Sequence, residues 1–205
     1  MLGLTCAAGA AWGASAQTIV NLGGGWQAVI ASPNASLTTN WEGDGFLSIN
    51  KTARFVDIDP FTGSANPISI QFRQIAPDSQ TASTIIISQE FLTNLTGVDW
   101  AGFRMELTPS AYASFDISGG NAPNNLGPFP SVMQTGPASL LFMGPGSVSG
   151  NGGTWQPGNI RINVDLAGSD APVIFQLKEI PLVPTPGAAA LLGAGALCAT
   201  RRRRD

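Results

Sequence analysis

The sequence predicts an all-β protein: an antiparallel two-sheet β-sandwich, jelly-roll-like, of about ten short strands. Three observations carry this. Apolar and polar residues alternate with period two over many short segments, so each strand has one face on a core and one in water. Gly and Pro are abundant, 25 and 15 of 205 residues, and they fall between those segments. No long stretch between residues 17 and 182 carries the 3.6-residue period of an amphipathic helix.

In chain order, the first strand candidates are Gln27–Ala31, Gly45–Asn50 and Arg54–Ile58. Asp59-Pro60 and Thr62-Gly63 then punctuate the chain before Ile68, Ile70 and Phe72, which alternate with Ser69, Gln71 and Arg73. Pro77-Asp78 marks the next turn. Ile85-Ile86-Ile87 is a continuous apolar run, the pattern of a strand covered on both faces. Phe103, Met105 and Leu107 are interleaved with Arg104 and Glu106, and Thr108-Pro109 ends that strand. Tyr112–Ile117 follows. Ser118 to Gly136 breaks the rhythm with many turn formers, which reads as a long surface excursion bridging the two sheets rather than a binding loop. Leu140-Leu141-Phe142-Met143 is a second doubly covered run. After Asn151-Gly152 and Pro157-Gly158 come Ile160, Ile162, Val164 and Leu166, alternating with Arg161, Asn163 and Asp165, and finally Val173–Glu179.

Composition excludes most chemistry. The chain has no histidine, and its two cysteines, Cys6 and Cys198, fall in the terminal segments. The body therefore has no disulfide, no thiol nucleophile, no Ser-His-Asp arrangement and no His- or Cys-ligated zinc. Its basic residues are Lys51, Arg54, Arg73, Arg104, Arg161 and Lys178, against twelve carboxylates, so nucleic acid is not an expected partner. No cofactor and no enzymatic activity are expected. A carboxylate-only glycosidase needs two acids flanking a sugar; Glu90 and Glu106, on neighbouring strands, are the candidates, although exposed acids are the default on alternating strands.

Two weaker binding signals remain. Exposed rings on a sandwich face stack on sugars, and Trp41, set among Asn40, Glu42 and Asp44, and Trp155, in a Gly/Pro-rich loop, are the tryptophans expected to be exposed. Asp57-x-Asp59 begins like a calcium loop but fails the EF-hand pattern, with Thr62 where glycine is required and Ile68 where Glu is required. Glu42, Asp44, Asp57 and Asp59 stay as weak donors for a different calcium site. Asn94-Leu95-Thr96-Gly97-Val98-Asp99-Trp100 is the most distinctive stretch of the body, with Gly97 in a turn and Trp100 expected to plug one end of the core.

The termini carry the localisation signal. Val183-Pro184-Thr185-Pro186-Gly187 is a proline spacer that cannot join a helix. Gly187–Thr200 is an uncharged, Ala/Leu/Gly-rich run of 14 residues, followed by Arg201, Arg202, Arg203, Arg204 and Asp205. At about 1.5 Å per residue this transmembrane helix would reach roughly 21 Å, short of the ~30 Å hydrocarbon core, so it holds only marginally. Four arginines keep the C-terminus on the cytoplasmic side. At the other end Ala14-Ser15-Ala16 fits a leader-peptidase site before Gln17; the positive n-region is not within Met1–Cys6, so a start upstream is expected. The organisation is a signal peptide over 1–16, a β-sandwich over 17–182 and a sorting and anchor segment over 183–205.

The tail resembles the PEP-CTERM signal, with Thr185 where the family pattern usually has Glu. The Asn94–Trp100 stretch is also similar to segments of other exported proteins with this tail. The resemblance implies an exosortase-type sorting protease as partner and transient membrane anchoring through the C-terminal helix. It also implies final residence at the cell surface or in an extracellular, exopolysaccharide-containing matrix. The expected function is that of a non-enzymatic surface or matrix protein. The alternative is a polysaccharide-binding module, with or without calcium. Since residues 17–184 contain no cysteine, their thermal unfolding should be the same with and without dithiothreitol; a drop in Tm on adding reductant would overturn the expectation that this body folds without any redox-dependent support.

Overall fold

A computed structural model describes residues 17–58, 65–167 and 172–184. These form thirteen strands in two sheets. The strands are β1 (Thr18–Gly23), β2 (Trp26–Ile30), β3 (Ala35–Gly43), β4 (Phe46–Phe55), β5 (Ile68–Gln74), β6 (Thr84–Asn94), β7 (Trp100–Thr108), β8 (Ala113–Phe115), β9 (Ser131–Gly136), β10 (Ser139–Val148), β11 (Gly153–Trp155), β12 (Ile160–Val164) and β13 (Ile174–Leu182). One sheet runs β1-β2-β5-β13-β7-β10-β9 and is antiparallel throughout; the other runs β3-β4-β6-β12-β8, with β11 on β6. Inward side chains of both sheets form one buried apolar cluster, as a sandwich requires.

The structure departs from the sequence expectation in four places. First, β4 and β6 pair in parallel, because the chain leaves the sheet after Phe55, makes β5 in the opposite sheet and returns. Second, the expected strands Gly45–Asn50 and Arg54–Ile58 are joined in one strand, β4, which ends at Phe55 and leaves Val56–Ile58 outside it; its inward positions are Leu47, Ile49, Lys51, Ala53 and Phe55. Third, the two continuous apolar runs are not covered on both faces: Ile86 is half-buried between buried Ile85 and Ile87, and Met143 is exposed. Fourth, Ser118–Gly136 contains the edge strand β9. The rest of that segment does bridge the sheets, from β8 in one to β9 in the other, and it drops Phe129 into the core.

Aromatic residues fill the two ends of the core. At one end Phe175 stacks on Phe72 at 5.0 Å and meets Trp26 edge-on at 5.7 Å, while Trp26 Nε1 donates to the Ala82 carbonyl at 2.8 Å. At the other end Phe55, Trp100, Phe103, Phe129, Phe142 and Trp155 form a chain of contacts between 4.9 and 5.8 Å. Such tilted and edge-on pairs add roughly 0.5–1.5 kcal/mol each beyond the area they bury.

Asn94 ties this second end together. Its buried side-chain amide donates to the Val98 carbonyl at 2.9 Å and the Val148 carbonyl at 2.8 Å. Its Oδ1 accepts from the Thr96 backbone N–H at 3.1 Å and the Thr96 hydroxyl at 2.7 Å. Asp99 accepts from the Gly150 N–H at 2.9 Å, and Gly150 lies so close that a Cβ there would fall 2.3 Å from the Val98 nitrogen. The Asn94–Trp100 stretch is therefore a hydrogen-bonded corner, with Trp100 fully buried behind it. Asn94→Ala leaves the buried Val148 carbonyl and the part-buried Thr96 N–H without their partner and should cost about 2 kcal/mol by urea unfolding. A loss below about 1 kcal/mol would show that water replaces the amide.

Candidate functional site

The residues singled out by sequence fall into three groups. Val183 packs partly on the core just beyond β13 and Pro184 is exposed, while Thr185, Pro186, Gly187 and Arg201–Arg204 lie outside the described residues. Among the described residues no helix is long and apolar enough to cross a membrane.

The calcium candidates are separated. Glu42 and Asp44 sit at the β3–β4 hairpin, where Asp44 and Gly45 take φ of 50° and 80°, the left-handed pair that a tight two-residue turn requires. Asp57 follows the opposite end of β4, some nine residue steps or about 30 Å away. Asp59 lies outside the described residues. Glu42 and Asp57 therefore cannot share an ion, and Glu42 is already used: its Oε2 accepts from the Gly24 N–H at 2.5 Å. Among the described residues no group of three or more acids, cysteines or histidines could hold a metal. The hairpin instead forms, with the β1–β2 turn and Ser79–Ala82, one wall of an open groove of about 470 Å³.

The tryptophans also part company. Trp155 is 3% exposed, packed between Phe103, Phe129 and Phe142 with its Nε1 donating to the Leu126 carbonyl at 3.2 Å; the expected exposure is corrected, because the Gly/Pro-rich loop folds the ring inward rather than presenting it. Trp41 is 51% exposed. A bulge after Thr39 sets Trp41 opposite Ser48 on the outer face of the sheet, where its ring lies over Gly43. Around it the face is neutral and hydrogen-bonding: Asn40 reaches Ser48 and Ser88 at 3.5 Å, Ser88 donates to Asn50 at 3.0 Å, and Ser36 bonds Thr52 at 2.6 Å. Phe91, opposite Thr52, is a second exposed ring on the same face.

The far corner of that face is charged. Asp116 Oδ1 accepts from the Ser118 hydroxyl at 2.7 Å and its N–H at 3.0 Å, and Oδ2 faces Asn121, Asn163 and Arg161. Arg161 in turn lies 5.2 Å over the Phe46 ring. The Ser118 hydrogen bonds, hydroxyl first, hold the Asp116 carboxyl below its usual range.

The most unusual chemistry is inside. Lys51 on β4, Glu90 on β6 and Glu179 on β13 meet between the sheets, each 0–1% exposed. Lys51 Nζ donates to Glu90 Oε1 and lies 2.5 Å from Glu179 Oε1. Glu90 Oε2 and both Glu179 oxygens lack an aligned hydrogen-bond donor. Burial pushes the Glu179 carboxyl well above its usual range, opposed by the Lys51 charge and reinforced by Glu90. Burial pulls Lys51 down, but the charges of Glu179 and then Glu90 outweigh it and leave the ammonium above its usual value. The carboxylate pair expected from sequence, Glu90 with Glu106, is not formed: β6 and β7 lie in different sheets, and Glu106 pairs outward with Arg104 at 3.1 Å. Lys51 had a signal in the sequence, an inward position in the Leu47-Ile49-Lys51-Ala53-Phe55 alternation.

No protein-family model matches the chain, and comparison with curated proteins gives no match.

The lowered Asp116 carboxyl has a defined pH signature. Its folded-state value lies below the unfolded one, about 3.9, so its contribution is present above roughly pH 4 and is lost as pH falls through the folded value. Asp116→Asn should therefore destabilise the domain at pH 7 and match the parent in strong acid. A parent–variant difference that persists unchanged to pH 2 would mean the carboxylate charge is irrelevant.

Proposed function

We propose that this chain is a non-enzymatic, exported β-sandwich of the cell surface or extracellular matrix, jelly-roll-like in type and delivered by an exosortase-type sorting protease. The observation that carries this reading is the order of segments after β13: a proline spacer from Val183 to Gly187, a marginal apolar run and the Arg201–Arg204 cluster. The fold agrees with it, because β13 is held between β5 and β7 in the middle of its sheet and ends at Leu182, immediately before the spacer. The 14-residue run acts as a short transmembrane helix, with the arginines inside and the spacer at its outer edge for cleavage. Replacing Arg201–Arg204 with Ser removes the inner anchor, since Arg resists translocation and Ser does not. That variant should appear in the medium with its tail uncut, whereas the parent should be processed near Pro184, as mass spectrometry of the mature C-terminus will show. An intact Asp205 on parent protein from a host with a working sorting enzyme would overturn the reading.

A second reading, polysaccharide binding, is favoured by one observation, the half-exposed Trp41 ring beside the neutral Asn40–Ser48–Ser88–Asn50 row. Rings that offer a flat apolar face next to amide and hydroxyl groups suit sugar rings, which are apolar on one face and hydroxylated at the edge. Affinity electrophoresis in gels containing neutral or acidic exopolysaccharide should retard the parent. Trp41→Ala should abolish the retardation without changing stability, and chelation should have no effect. Equal mobility of parent and variant in every gel would remove this reading.

A further inference from the structure

We propose that Lys51 and Glu90 condense to an intramolecular amide in the core of the sandwich, with Glu179 as the catalytic acid and base. The juxtaposition is specific. Lys51 and Glu90 are directly paired in the parallel β4–β6 ladder, so both side chains leave the sheet on the same side and Nζ touches the Glu90 carboxyl. Glu179 approaches from the opposite sheet, where Met105 and Ile68 are its ladder neighbours, and places an oxygen 2.5 Å from the same nitrogen. Leu37, paired with Lys51 on its other side, and Leu92 and Ala53 on the flanking inward positions keep the surroundings apolar.

This setting reverses the usual chemistry of an amine and an acid. In water the ammonium and carboxylate ions are strongly solvated and do not condense. In the core that solvation is lost, which penalises the ion pair relative to the uncharged amide that replaces it, even though the two carboxyl groups favour the Lys51 ammonium over the free amine. Reactants held in contact gain an effective concentration of about 10⁵ M or more. The ionic arrangement also leaves Glu90 Oε2 and Glu179 Oε2 without donors. Amide formation expels one Glu90 oxygen, discharges Lys51 and Glu90, and leaves an N–H and a carbonyl that the Glu179 acid can pair.

The steps balance without any further reactant. The Lys51 ammonium passes one proton to the Glu90 carboxylate, giving a neutral amine and two neutral acids. The Nζ lone pair attacks Glu90 Cδ and forms the C–N bond, while Glu179 protonates the carbonyl oxygen as charge builds on it. Glu179 then takes the second Nζ proton and returns it to a Glu90 hydroxyl. As the C–O bond breaks and water leaves, the remaining Glu90 hydroxyl gives its proton to Glu179, which ends protonated as it began and leaves a neutral amide. Burial, which pushes the Glu179 carboxyl well above its usual range, favours the acid form that the attack step needs. The product staples β4 to β6, 39 positions apart in sequence, in a body without cysteine.

Intact-mass spectrometry of the full chain, purified natively, tests the proposal directly. The expected mass is lighter by one water than the mass calculated for the termini found in the same sample. Trypsin should fail to cut after Lys51 even in denatured protein, and fragmentation should yield a branched peptide joining Lys51 to Glu90. Lys51→Arg and Glu179→Gln should show the full calculated mass, with Glu179→Ala as a second variant if the glutamine form does not fold. A parent at its full calculated mass overturns the proposal, as does a branch joining Lys51 to Glu179. A folded Glu179 variant that still lacks the water overturns the role given to Glu179.

Discussion

Three ionisable side chains in the middle of an apolar sandwich are the constraint on which the rest of this structure turns. Isolated, each buried charge would cost several kcal/mol, and the packing around them has to compensate. The strand order supplies the geometry. Parallel pairing of β4 with β6 puts Lys51 and Glu90 side by side, where an antiparallel return would have set different residues opposite one another. A register shift after Ile49 then inserts one extra residue in β6, so that the inward set changes from Ile85 and Ile87 to Glu90, Leu92 and Asn94. Without that bulge Glu90 would face water. The same shift turns Asn94 inward and so places the amide that closes the far end of the core.

The aromatic clusters follow from the same arrangement. Along β13 the inward positions are Phe175, Leu177, Glu179 and Pro181, and Pro181 is paired with Phe103. Glu179 is thus bracketed by the Phe72–Phe175–Trp26 group on one side and by the Phe55–Phe103–Trp155 group on the other. Large rings at both ends keep water from reaching the centre, and that exclusion raises the Glu179 carboxyl. Pro181 can stand in a central strand because the β5 ladder stops at the Glu179–Ile68 pair, leaving the strand one neighbour from there on.

How far the sequence discloses this depends on whether a strand keeps its phase. The alternation in β5, β7, β12 and β13 is regular, and those strands stand where Ile68–Phe72, Phe103–Leu107, Ile160–Leu166 and Val173–Glu179 place them, β12 stopping at Val164, short of Leu166. Strand β4 does not show as one unit in the sequence because a lysine occupies the inward position between Ile49 and Ala53. A charge there is unfavourable unless its partners are known, and those partners lie 39 positions away on β6 and in the opposite sheet. In β6 the bulge hides the phase of Glu90, since period two holds on either side of it but not across it. The edge strands β1, β3 and β9 are weakly patterned because one neighbour is missing and much of their surface is wet. The burial of Trp155 is hidden for the opposite reason: Gly and Pro around it describe the backbone of a loop, not the direction of the ring that the loop carries.

The sandwich holds three charged groups in its core and a neutral stretch on part of its outer surface. Lys51, Glu90 and Glu179 are inside, while the outer face of β3, β4 and β6 between Trp41 and Phe91 is built from Asn, Ser and Thr that bond to one another. A face satisfied by its own hydroxyl and amide pairs binds counterions weakly and does not depend on ionic strength for its shape. The buried triad is equally insulated, because salt cannot screen groups that solvent does not reach. Its sensitivity is to pH. With the folded Glu179 value raised above the unfolded one near 4.3, its contribution is full below that pH and declines as pH rises through the folded value. Lys51 works in the same sense at higher pH: its contribution is complete below the unfolded value near 10.4 and is lost above the raised folded one. Converting Lys51 and Glu90 to an amide would remove the second dependence and leave Glu179 as the one titrating group of the triad.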